Sequence, residues 1–328
     1  MLDILCLLLT IKKGVINMNK FKKIGLTTLA GSLVVTSAFA GELTASGAAS
    51  MGVKNTTGTN DPSTGKSFTM GNSVTLAGSG EMDNGLNFSL SFTLDQADAT
   101  PSPFDTHSVT ISSDALGTLV MSGEGGSSAQ SAMDTTAAGD IWNNGLGITG
   151  PTAAASGDGS LFYTLPAMMD GLAITASMSP GAAAKQTQTS FGLAYTGVEG
   201  LTVKWAQGDS GAPADEVEST TMYASYAIGS FTVAVSNTEA DNTNIATANR
   251  EVDSYQIAYT VSDDLSVTYG SETFDLSGNA TDEEVESFGL SYTSGGMTLS
   301  ANTYEGTGAA NTAASKTERW SLGLAFAF

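Results

Sequence analysis

The chain has 328 residues, with 12 Lys+Arg against 33 Asp+Glu, a formal net charge of −21, 38 glycines and a single cysteine. That acidity argues against nucleic acid and anionic lipid as partners. One cysteine excludes an internal disulfide and a multi-cysteine metal site, so a chain of this size must draw its stability from hydrogen bonding and packing.

Residues 18–40 read as a secretory signal peptide. Met18-Asn-Lys-Phe-Lys-Lys is basic, an apolar run follows from Ile24 to about Thr36, and Ala38-Phe39-Ala40 supplies small residues for cleavage. Residues 1–17 suit an upstream misassigned start or a leader extension, with a two-part leader or an N-terminal anchor as the rival. Removing 1–40 takes away Cys6, five lysines and one aspartate, leaving 7 Lys+Arg, 32 Asp+Glu and a net charge of −25 over 41–328.

From Leu43 onward, strand period recurs and helical period is weak. In chain order the alternating runs are centred on Leu43–Val53, Phe68–Leu76, Leu86–Leu94, Val109–Ile111, Leu119–Met121, Leu161–Leu165, Leu172–Met178 and Phe191–Tyr195. Leu201–Trp205, Met222–Tyr226, Phe231–Val235, Tyr255–Tyr259, Leu265–Tyr269, Phe288–Tyr292, Met297–Ala301 and Trp320–Phe328 complete the series, sixteen candidate strands in all. Leu86, Phe88, Leu90, Phe92 and Leu94, with Asn87, Ser89, Ser91 and Thr93 between them, put every large side chain on one face. No apolar run is long enough for a spanning helix.

The connections alternate. Seven are tight, among them Asp83-Asn84-Gly85 and Ser294-Gly295-Gly296, and eight are long and polar, near 55–66, 95–106, 123–158, 179–188, 208–218, 239–250, 274–284 and 305–317. Short turns on one side and long loops on the other are the pattern of an outer-membrane barrel with both termini on the short-turn side. Aromatic residues recur near the expected strand ends (Phe68, Tyr195, Trp205, Tyr269, Tyr292, Trp320), where an interfacial girdle would lie. The terminal strand has one wholly apolar face and stops on Phe328; a free edge of that kind would template aggregation, so it must pair with Leu43–Val53. The expected fold is therefore all-β: a 16-stranded antiparallel transmembrane β-barrel formed by residues 41–328.

Catalysis finds little support. His107 is the only histidine, and its neighbours Asp105 and Ser108 do not converge on it from one strand face. Gly123-Glu-Gly-Gly126 lacks the lysine and helix of a phosphate loop, and no cofactor is called for. Asp263, Asp264, Asp282 and Glu283 are oxygen clusters that could hold Ca²⁺, without the spacing of a known calcium loop; solvated charge is the plainer reading.

The opening Leu43-Thr-Ala-Ser-Gly-Ala-Ala-Ser-Met-Gly-Val53, the hairpin from Ser79 to Phe92 and the segment from Leu161 to Ser179 resemble a Gram-negative general-diffusion porin of the alphaproteobacterial type. The resemblance covers the whole of 41–328. It implies a trimer of barrels, with outer-membrane lipid, lipopolysaccharide and the barrel-assembly machinery as partners and small hydrophilic solutes as cargo. Phe328, with Phe326, resembles the assembly signal of that class. The third long loop would fold inward and narrow the pore; here that loop is the longest, and a loop of such length in a compact fold is functional or disordered.

Constriction candidates are Glu124, Asp134, Asp140 and Asp158, with Trp142 as an anchor and Lys204, by its parity, as an inward wall lysine. The first two strands lack the arginines that relatives carry; only Lys54 and Lys66 lie nearby, expected at the outer rim. An acid-lined pore favours cations, so the expected function is passive diffusion with modest cation preference. The rivals are a substrate-specific channel of the same fold and, from another class, a secreted β-rich surface or adhesion protein.

Overall fold

The computed structural model describes residues 43–58, 65–95, 105–151, 158–181, 186–210, 216–242, 244–245 and 248–328. The leader at 1–40 lies outside them. The sixteen strands are β1 (Leu43–Gly58), β2 (Gly65–Glu81), β3 (Asn87–Asp95), β4 (Thr106–Ser113), β5 (Gly117–Glu124), β6 (Ser160–Thr164), β7 (Leu172–Ser179) and β8 (Gln188–Tyr195), followed by β9 (Leu201–Asp209), β10 (Val217–Ile228), β11 (Phe231–Asn242), β12 (Arg250–Ser262), β13 (Leu265–Leu276), β14 (Glu283–Ser294), β15 (Met297–Thr307) and β16 (Lys316–Ala327). Each pairs antiparallel with its neighbours in sequence, and β16 returns to β1, closing the barrel.

The closure is the pairing expected for the terminal strand. Ala48 to Gly58 face Ala327 to Thr317 in unbroken register. Phe328 extends the ladder: its N–H donates to the Gly47 carbonyl at 3.0 Å, and the Gly47 N–H donates to the Phe328 carbonyl at 2.7 Å. The Phe328 ring lies over Gly47, where a Cβ would stand 2.5 Å from it. No strand edge is left at the seam.

The two faces of the wall differ as the alternation requires. Met51, Phe68, Met70, Phe191, Met222, Val235, Ile257, Phe288 and Leu322 are exposed on one face, Phe68 at 91%. The opposite face carries Ser177, Ser190, Ser219, Thr221, Ser236 and Ser254. In water the exposed apolar face would be a gross liability; against lipid it is the required solvent-facing surface.

Most strands run past the apolar stretch that marks them in the sequence, mainly toward the long loops. β10 begins at Val217 rather than Met222, and β11 continues from Val235 to Asn242. These extensions are polar on both faces, so hydrophobic alternation does not register them. The girdle candidates Phe68, Trp205, Tyr269 and Trp320 consequently lie within strands rather than at their ends.

Candidate functional site

The long connection between β5 and β6 is bound to the polar face of the wall by a series of hydrogen bonds. The Ala129 N–H donates to Ser177 Oγ at 2.9 Å and the Gln130 N–H to Ser190 Oγ at 3.2 Å. The Gln130 side-chain amide donates to Ser219 Oγ at 3.0 Å and Thr221 Oγ1 at 3.1 Å. Further on, the Ala137 N–H donates to Ser236 Oγ at 2.7 Å and the Ala138 N–H to Ser254 Oγ at 2.9 Å. The loop therefore takes its partners from β7, β8, β10, β11 and β12 in turn. Backbone N–H groups buried without water need acceptors, and the small hydroxyls of the polar face supply them.

Glu272 on β13 fastens the far end of this run. Its side chain is fully buried. Oε1 accepts from Thr136 Oγ1 and, at 3.1 Å, from the Ile141 N–H; Oε2 accepts from the Trp142 N–H at 2.8 Å. One carboxylate thus holds both sides of the turn that leads into a one-turn 3-10 helix at Ile141–Asn143. Beyond it, Ile141, Leu146 and Ile148 bury themselves against Val252, Phe274, Val285 and Ala309, with Trp142 packed on the cluster. The Trp142 ring covers Gly150. Arg250 Nη1 donates to the Gly150 carbonyl at 2.9 Å and ties down the return.

The acidic candidates separate into two groups. Asp134 and Asp140 are on the bound part of the loop. Asp140 adopts a left-handed conformation (φ 54°), and its Oδ1 accepts the Thr136 N–H at 3.0 Å while its own N–H donates to Thr136 Oγ1 at 2.8 Å. Its carboxylate shapes the turn as well as charging it. Burial, and secondarily the neighbouring Asp140 charge, push the Asp134 carboxyl up to about 7.

Glu124 and Asp158 stand at the two ends of the loop, apart from that pair. Glu124 ends β5 at a register shift opposite His107, with the His107 Nδ1 3.9 Å from Glu124 Oε2. Asp158 Oδ1 accepts the Gly125 N–H at 3.4 Å, so it clasps the neck of the loop.

The basic residues are also redistributed. Lys204 shares the polar face with the buried Ala206, as its parity predicts, and its Nζ lies 4.8 Å from the Tyr223 ring centroid. Lys54 is not at the rim: β1 continues four residues beyond it, and it pairs with Ser67 and Ser321 on the polar face. Arg319 is on the same face of β16, opposite Thr56 and Tyr304. The sequence did not single it out because the apolar run of the terminal strand begins one residue later, at Trp320, whereas β16 begins at Lys316.

The two oxygen clusters lie in separate connections. Asp263 and Asp264 make the β12–β13 turn, whereas Asp282 and Glu283 are at the start of β14. Glu283 is buried and accepts the Ala310 N–H at 3.0 Å, clasping a neighbouring loop. Among the described residues no three Asp, Glu, His or Cys side chains are placed to share a metal ion.

Comparison with known proteins agrees with this architecture. A family model described as Gram-negative porin matches residues 25–328. Among solved structures, the anion-selective porin from Comamonas acidovorans superposes with a TM-score of 0.63 at 14% identity, covering 88% of this chain and 100% of that one. Salmonella typhi OmpF, in complex with daunomycin, gives 0.70 at 12% identity over 88% and 98%. Outer-membrane-expressed OmpT of Vibrio cholerae gives 0.64 at 15% identity over 88% and 98%. No curated protein matches the chain. The chain belongs to the Gram-negative porin family and is a diffusion channel of the bacterial outer membrane.

Proposed function

We propose that small hydrophilic solutes and ions cross this barrel by passive diffusion, filtered mainly by size, the sieve being the loop at 123–158. The single observation that carries the reading is the run of hydrogen bonds from Ala129 to Trp142 across β7 to β13. The polar face of a lipid-embedded barrel is its lumen, and a sixteen-strand lumen is too wide for wall side chains to fill. A loop pinned to that face occupies part of the opening and leaves the rest for solute.

Modest cation preference follows from the charges. The chain beyond the leader carries −25, and Asp134 and Asp140 belong to the loop itself. A negative lining lowers the barrier to cations. The trimer is supported by the small outward residues Ala45 and Ala49, on the same outward face as the exposed Met51, Met70 and Phe68 further along the β1–β2 pair, which admit a close neighbour, and by the trimer form recorded for Vibrio cholerae OmpT. Phe328 and Phe326 fit the assembly signal read by the barrel-assembly machinery, and lipopolysaccharide would meet the outward face.

Liposome swelling with uncharged sugars of increasing size tests the sieve. The rate is expected to fall steeply and without saturation as the solute grows. Saturable uptake of one sugar alone would favour a substrate-specific channel instead.

A further inference from the structure

We propose that the wall where β16 meets β1 carries a weak binding station for small hydroxylated carboxylates, the class to which sugar acids belong. The proposal rests on the polar face being the lumen, and it goes beyond simple diffusion in giving one part of that lumen an affinity.

Gly52 and Gly323 face each other across the seam, and the absence of two side chains opens a recess of about 250 Å³. Hydroxyls lean into the space so vacated: Thr69 Oγ1 would be 2.8 Å from a Cβ on Gly52, and Ser300 Oγ 2.9 Å from one on Gly323. Ser50 and Ser321 complete a rim of donors and acceptors. Lys54 stands at one end of the recess. Arg319 is one diagonal step above it, because Lys54 faces Ser321 and Thr56 faces Arg319. Diagonal neighbours of this kind are roughly 7–8 Å apart, within common reach of one carboxylate for two long side chains.

The partners of the other inward cations give these two their significance. Arg250 is used by the Gly150 carbonyl and Lys204 lies over Tyr223. Among the described residues neither Lys54 nor Arg319 forms an ion pair, although the chain has acids in great excess. Two unpaired cations over a floor of hydroxyls match a solute with a carboxylate at one end and hydroxyls along its length. Arg319 also borders the bound loop: a Cβ on Gly145 would be 2.9 Å from its Nη1. The station therefore borders the part of the lumen that the loop occupies.

Single-channel recording in KCl with added gluconate tests the idea, with glucose and acetate as comparisons. Gluconate should interrupt the wild-type current briefly and in proportion to its concentration, while glucose and acetate should not. Removing one charge-assisted contact, in Lys54→Gln or Arg319→Gln, should shorten the interruptions about tenfold while steps in KCl alone persist. Lys54→Arg should restore them. Steps in KCl without gluconate interruptions, or interruptions unchanged in both glutamine variants, would overturn the station and leave the channel reading standing. A barrel passing no KCl current would overturn both.

Discussion

At Glu272 one carboxylate accepts three donors from a single turn of the loop, so replacing an oxygen with an amide nitrogen sets N–H against N–H. Leaving a buried donor unsatisfied costs about 1–3 kcal/mol, comparable to what holds a surface loop in place. Glu272→Gln is therefore expected to keep the barrel but loosen the loop, which single-channel recording would register as excess open-channel noise; a current as quiet as wild type would contradict the anchoring role. Asp134 makes a second prediction at this scale. With its carboxyl raised to about 7, the side chain is neutral below that pH and charged above it. Cation over anion permeability, read from reversal potentials in a salt gradient, should rise between pH 6 and 8, and Asp134→Asn should flatten the rise.

The sequence named Asp134, Asp140 and Trp142 as loop residues of consequence but did not single out Glu272. Its partners are 130 or more positions away, and local pattern carries no such information. One signal was present. Val252, Phe274 and Val285 have the parity of the polar face yet are apolar, and each is fully buried beneath the loop. Bulky apolar residues on the side that should be polar mark where an inner surface is covered.

Strands were legible where lipid imposes a contrast between faces, and each of the sixteen apolar runs marks one strand of the barrel to within a residue at its apolar end. They were illegible where both faces are polar, as in the extensions of β10 and β11, whose inner hydroxyls are buried while their length is fixed by pairing. The seam between β1 and β16 makes the clearest prediction for an element. Deleting Trp320–Phe328 removes most of the β16 partners of β1 and frees an edge of β15. The truncated chain should lose the heat-dependent shift in gel mobility that a closed barrel gives. Gly47→Val should weaken the seam more gently, because its side chain would collide with the Phe328 ring; the folded fraction should fall while the shift survives in what remains. A fully folded Gly47→Val barrel would contradict that reading.

Over the whole molecule, net charge proves a poor guide to the lining. Part of the formal −25 sits on outward strand extensions, as at Glu286, Glu305 and Glu318, which face one another across β14 to β16. Lys54, Lys204, Arg250 and Arg319, by contrast, share the polar face. Cation preference should accordingly stay modest, far below what the total charge suggests. The central claim is that the loop sets the size of the opening, and conductance tests it most directly. Deleting Gln130–Ile148 with a short glycine-serine splice removes the wall-bound run but leaves every strand and the seam. The account predicts a several-fold rise in single-channel conductance, with heat-modifiable mobility retained. A closed barrel whose conductance is unchanged would contradict it.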